Sequence, residues 1–154
     1  MRSVAAPKFT PRSYYNAAQE HLGLAVRLRE QGEHFTAHFF AGIAVESILR
    51  SLSVREGEPF DGTHDIEHWA KKANLLPKGP DEKQDEFRAK LIELNLRWRA
   101  HQRYYTAKAL DTWLHNIAID GKVRGDRVKP SCERMLELAS DVVGLGVIRW
   151  NKRS

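Results

Sequence analysis

Cysteine is nearly missing from this chain of 154 residues: Cys132 stands alone, so no internal disulfide can form and packing must hold the fold. Long apolar runs are missing too. None approaches the roughly 18 to 20 residues that a membrane helix needs, and the first ten residues, MRSVAAPKFT, lack the apolar centre of a secretory signal. The expectation is a disordered lead-in over 1–10 and a cytoplasmic protein without membrane association. Strand-like alternation and internal repeats are likewise not found, which leaves helices as the organising element. No HExxH pattern occurs, and His64 and His68, four apart, have no evident third ligand, so no metal and no cofactor are expected. The remainder is 42% hydrophobic and 29% charged, enough for one core and hence one domain over 11–154.

What is there reads at helical period. Thr10 before Pro11 is an oxygen cap followed by a residue that needs no donor, and Tyr14, Ala18, Leu22, Ala25 and Leu28 then recur until Gly32 ends the run. FTAHFFAGIAVESILRSL is apolar nearly all round and belongs in the middle of a bundle. Within it Glu46 falls on the stripe Phe35, Phe39, Gly42 and Leu49, and a buried carboxylate demands a cation, most economically an arginine from another helix. His38 reads as a hydrogen-bonded core histidine.

EPFDG marks a turn, after which Thr63 caps a short helix with Ile66, Trp69, Ala70 and Ala73 on one side. LPKGP is the clearest break, and Asp81 with Gln84 forms a capping-box pattern opening a long third helix. Phe87, Leu91, Leu94, Trp98 and Tyr105 give that helix its core stripe. ALDTWLHNIA either extends it or stands apart, IDGKVRGDRVKP is a loop, and Pro130 opens a last helix. Its inward residues are Cys132, Met135, Leu136, Ala139, Val143, Leu145 and Gly146. The sum is an all-α antiparallel bundle of four main helices with short additional ones.

Net charge is +5, and its distribution says more than its size. From Arg88 to Lys108 six basic residues face the single acid Glu93, while the rest of the chain balances. Here lies LNLRWRAHQRYYT, cations among aromatics, the mixture that suits phosphates and unstacked bases. On a continuous helix, positions i, i+4 and i+7 share a face, so Arg97, His101 and Tyr104 are expected to project together, with Arg99 and Arg103 as a second pair. Arginine offers a fork for phosphate, histidine can exchange a proton, and a tyrosine hydroxyl can donate or its ring can stack. Such a trio suits metal-independent cleavage of an RNA phosphodiester. A solvated, arginine-rich helix face is the plainer alternative.

The chain resembles the HEPN family over most of its length. The resemblance rests on AGIAVESILRSL in the second helix, the connector THDIEHWAKKANLL, and a third helix ending in QRYYT. It implies a compact helical bundle, a homodimer that brings two third helices together, and a role in RNA cleavage, toxin and antitoxin pairs, phage defence, or nucleotide handling beside a nucleotidyltransferase. Glu46 matches the family's second-helix acid, which implies a pairing with Arg97 or Arg103. Family nucleases set a longer gap between their arginine and histidine than the three residues separating Arg97 from His101 here. Three functions are therefore expected to compete. One is a ribonuclease with Arg97, His101 and Tyr104 catalytic and Arg99, Arg103 and Glu46 at the substrate. Another is a non-catalytic module binding RNA or a nucleotide. The third is a structural or regulatory partner of another protein.

Overall fold

The computed structural model describes residues 9–55, 64–73, 75, 82–121 and 125–152. Among them the chain forms six α-helices, one 3₁₀ turn and no strand. The helices are α1 (Pro11–Glu30), α2 (His34–Arg55), α3 (Ile66–Lys72), α4 (Glu82–Arg97), α5 (Ala107–Ile117) and α6 (Val128–Lys152), with the 3₁₀ turn at Ala100–Tyr104. Four long helices, α1, α2, α4 and α6, make the bundle. The lead-in up to residue 8, the EPFDG turn, Thr63, LPKGP and the side chains of the Asp81–Gln84 box lie outside the described residues.

α1 starts as its sequence requires. The Thr10 hydroxyl accepts from Ser13 N at 3.1 Å and Ser13 Oγ accepts from Thr10 N at 2.6 Å, a reciprocal cap that satisfies two donors otherwise left open. Gly32, at φ +79°, turns the chain back into α2. The two helices pack as a hairpin, and α2 also lies against α6 and α3, so Ala37, Ala41, Ala44, Val45, Ile48, Leu49 and Leu52 are all buried. This is where the reading of apolar runs needs correction. His34–Val54 is long and apolar enough to cross a membrane, yet most of it is buried inside the bundle, its apolar surface already covered by α1 and α6.

Two stripe positions also shift. Tyr15, not Tyr14, enters the core, where it stacks on Trp150 with ring centroids 4.7 Å apart and Arg12 lies over both rings. Leu145 is exposed rather than inward: Gly146 takes the inner position against Ile48, and its neighbour, about 100° round the helix, faces out. α6 begins at Val128, whose amide donates to Asp126 Oδ1 at 2.8 Å, and Pro130 falls in the first turn where a missing N–H costs nothing. α5 is a separate helix, capped by Thr106 and closed by Ala118 in the left-handed region.

The largest departure is at the end of α4. The sequence reads as a helix through Thr106, but α4 stops at Arg97, Arg99 is extended at φ −137°, ψ 143°, and a 3₁₀ turn follows. Side chains take over the orphan carbonyls that would have continued the helix. Gln102 Nε2 donates to Arg97 O at 2.9 Å and Trp113 Nε1 donates to Leu96 O at 3.2 Å. Trp98, fully buried, is held against Gly42 and donates through Nε1 to Phe39 O at 3.1 Å.

Candidate functional site

Because α4 ends at Arg97, the helical face shared by Arg97, His101 and Tyr104 does not form. Arg97 faces inward. Its Nε donates to Glu93 Oε2 at 2.8 Å, Nη1 and Nη2 make a fork onto both oxygens of Asp120 at 2.9 and 2.5 Å, and Nη1 also donates to Ser131 Oγ at 3.1 Å. Four of five N–H groups are thereby used on protein acceptors. Burial works against the guanidinium charge, but hydrogen bonds to Asp120 and Glu93, and their charges, outweigh it and hold the Arg97 pKa above the ordinary arginine value. Glu93 shows the converse. Burial would raise its pKa, yet hydrogen bonds from Arg134 and Arg97, with their charges, bring it below the usual carboxylate value. Breaking one partner out of a buried ionic cluster costs about 3–5 kcal/mol, more than one phosphate contact returns. Arg97 is therefore a structural cation.

The same network explains His38. Ser131 Oγ accepts from Arg97, an obligate donor, and shares a second hydrogen bond with His38 Nε2, 2.9 Å away. The ring is held neutral, with Nδ1 buried and without a hydrogen-bond partner among the described residues. Burial first, then the charge of Arg97, pushes the His38 pKa down to about 3, with Asp120 acting in the opposite sense. The expectation of a hydrogen-bonded core histidine matches this geometry.

Past the buried Trp98 most side chains turn outward. His101, Arg103 and Tyr104 are exposed on the 3₁₀ turn while Gln102 points in to cap Arg97. Arg103 lies over the Tyr104 ring at 5.0 Å from its centroid, and Tyr104 is 77% exposed. The His101 Nε2 and Tyr105 Oη atoms are 3.0 Å apart, and the His101 ring also meets Trp113 edge-on. Arg99 is set apart from this group: its Nη1 donates to Asn95 Oδ1 at 2.8 Å, one turn back on α4.

Glu46 meets neither Arg97 nor Arg103. Its Oε1 accepts from Arg50 Nη2 at 2.7 Å, one turn along the same helix, and lies 2.6 Å from His64 Nδ1. The expectation of an arginine from another helix fails because the Glu46–Arg50 spacing of four already puts a cation on the same inner face, with the Arg50 guanidinium lying over Trp69 at 5.0 Å. That spacing was visible in the sequence. The role of His64 was not, since the side chain joins α2 from 18 residues away.

A cleft of about 550 Å³ lies elsewhere, between the α1–α2 turn and the starts of α5 and α6, lined in part by His34, Phe35, Lys108, Asp111 and Asp126. Its charges are mixed and it excludes Arg97, His101 and Tyr104. Among the described residues no three histidine, cysteine, aspartate or glutamate side chains converge as a metal site would. No protein-family model matches the chain, and no match to it is found among curated proteins or solved structures.

Proposed function

We propose that this is a HEPN-like cytoplasmic protein that binds RNA or a nucleotide on the 3₁₀ turn following α4. One observation carries the reading: a cation, Arg103, lies beside an aromatic ring, Tyr104, that is 77% exposed and unburdened by core packing. A base stacks on such a ring while the guanidinium meets the adjoining phosphate. His101, exposed on the same turn, and Lys108, exposed in the first turn of α5, add positive or proton-donating groups. With Arg97 committed to Glu93 and Asp120, His101 and Tyr104 are assigned here as binding groups.

The test is equilibrium binding of single-stranded RNA across a salt series. Tyr104→Ala is expected to cost about 1–3 kcal/mol, the worth of one stacked base. Arg103→Ala is expected to lower the slope of log affinity against log salt by about one, as one phosphate contact is lost. An affinity indifferent to salt and to both substitutions would refute the reading.

The proposal extends to a homodimer. Ile92 and Leu96, one turn apart on the outer face of α4, are 43% and 40% exposed, an apolar strip without a partner among the described residues. In the catalytic form of this reading the protein is a metal-independent endoribonuclease of the toxin or phage-defence type; in the other it is a regulatory module that serves a nucleotidyltransferase or antitoxin.

A further inference from the structure

Between Arg88 and Lys108 the chain holds neither glycine nor proline, and Leu91, Leu94 and Trp98 keep helical spacing up to the point where α4 stops. Local sequence supplies no stop signal there. Two side chains from beyond the break make it instead. In a continuous helix the amide of Ala100 would donate to Leu96 O and that of His101 to Arg97 O, each four residues back. Trp113 Nε1 and Gln102 Nε2 take those same two carbonyls, at 3.2 and 2.9 Å. The caps and a continuing helix therefore compete for the same acceptors.

The broken form carries a cost of its own. Gln102 is 1% exposed, and its Oε1 is buried without a partner among the described residues. A buried acceptor left open disfavours the state that holds it there. Trp113, the other cap, belongs to α5, whose buried Leu110 and Leu114 join Val128 in a small apolar cluster separate from the main core. The cap on Leu96 O thus depends on that small cluster and not on the packing that holds Trp98. The two forms also present different surfaces. On the 3₁₀ turn Arg103 lies over the Tyr104 ring, 5.0 Å from its centroid. Consecutive side chains on an α-helix diverge by about 100° and do not face each other, so a continuous helix takes this pair apart.

We infer that α4 is a two-state element: broken at Arg97 it presents the Arg103–Tyr104 platform, and continued past Arg97 it withdraws it, with Gln102 and Trp113 as positioning residues that set the balance. The inference rests on the RNA reading above and adds its regulation. RNA meets the platform only in the broken form and so draws the balance toward it. A proline separates the two forms. Arg99, at φ −137° and ψ 143°, already has the extended backbone that precedes proline, and Ala100 opens the 3₁₀ turn, where a missing N–H breaks no bond of the turn. Ala100→Pro fits the broken form and forbids the continuous one, since it removes the helical bond to Leu96 O and its ring would clash there.

Amide hydrogen exchange over residues 99–104 and equilibrium binding of single-stranded RNA, both on the full chain, test this. Gln102→Met with Trp113→Phe removes both donors and keeps apolar bulk. This cap variant is expected to exchange more slowly over 99–104 and to bind RNA about 5-fold more weakly or worse, as molecules leave the form that offers a stacking ring. Adding Ala100→Pro should return exchange and binding to wild-type levels, and Ala100→Pro alone should bind at least as tightly as wild type. Exchange in the cap variant that is unchanged or faster overturns the inference. Lost binding that the proline does not restore is the mark of simple damage to the turn and also overturns it, as does an Ala100→Pro chain that unfolds or no longer binds. If wild type binds no RNA, the RNA reading falls; slowed exchange reversed by the proline then still establishes the two states, and unchanged exchange removes both.

Discussion

His38 touches no solvent, and its neutral form is enforced by burial and by Arg97 at the far side of Ser131. Because the unfolded chain binds this proton near the ordinary histidine value of 6.5 and the folded chain only near 3, the unfolded state holds more protons between those limits. Stability is therefore complete above about pH 6.5 and declines as pH falls, by about 1.4 kcal/mol for each unit within the window. Glu93, with its folded pKa lowered, adds a loss of the same sign at the acid end. Urea midpoints measured from pH 7 to pH 4 should show this slope in wild type and a shallower one in His38→Gln; parallel curves would contradict the account. At this scale the sequence was partly readable. A histidine on an inner face called for a hydrogen bond, but Ser131, 93 residues on, could not be picked out by any spacing. A buried Glu46 called for a cation, and Arg50, four residues along the same helix, supplies it in place of an arginine from another helix.

Helix ends separate what local sequence signals can tell from what they cannot. α1 opens at Thr10–Pro11 and closes before Gly32, all local devices and all legible. α4 ends where no glycine or proline stands anywhere between Arg88 and Lys108, because Gln102 and Trp113 cap its carbonyls from beyond the break. Trp98 anchors that end through contact with α2. A Cβ at Gly42 would meet the buried indole directly, whereas one at Gly144 would meet nothing. Alanine gains about 1 kcal/mol of helix propensity at either position. At Gly42 overpacking of about 1–3 kcal/mol, together with strain on the Trp98–Phe39 hydrogen bond, outweighs that gain. Gly42→Ala is thus expected to destabilise by about 2 kcal/mol and Gly144→Ala to stabilise by about 0.5–1 kcal/mol, read as urea midpoints at constant slope. Equal shifts in both would show that the α2–α4 contact is looser than described.

For the whole molecule, the bundle covers α2 on nearly every side but leaves Ile92 and Leu96 of α4 uncovered. If these residues join two copies, sedimentation should report a dimer for wild type and a monomer for Leu96→Glu. An unchanged mass for the variant would remove α4 from the interface. By itself the sequence determined the helical class, the order of the four long helices and most of the apolar positions, because period, caps and turn residues act over a few neighbours. Only the tertiary structure decided that Arg97 serves Asp120 rather than a ligand, that His101 and Tyr104 leave the helix, and that His64 meets Glu46. Those outcomes depend on which charges and carbonyls meet across 17 to 34 residues of chain, a matter of packing that spacing along one helix does not carry.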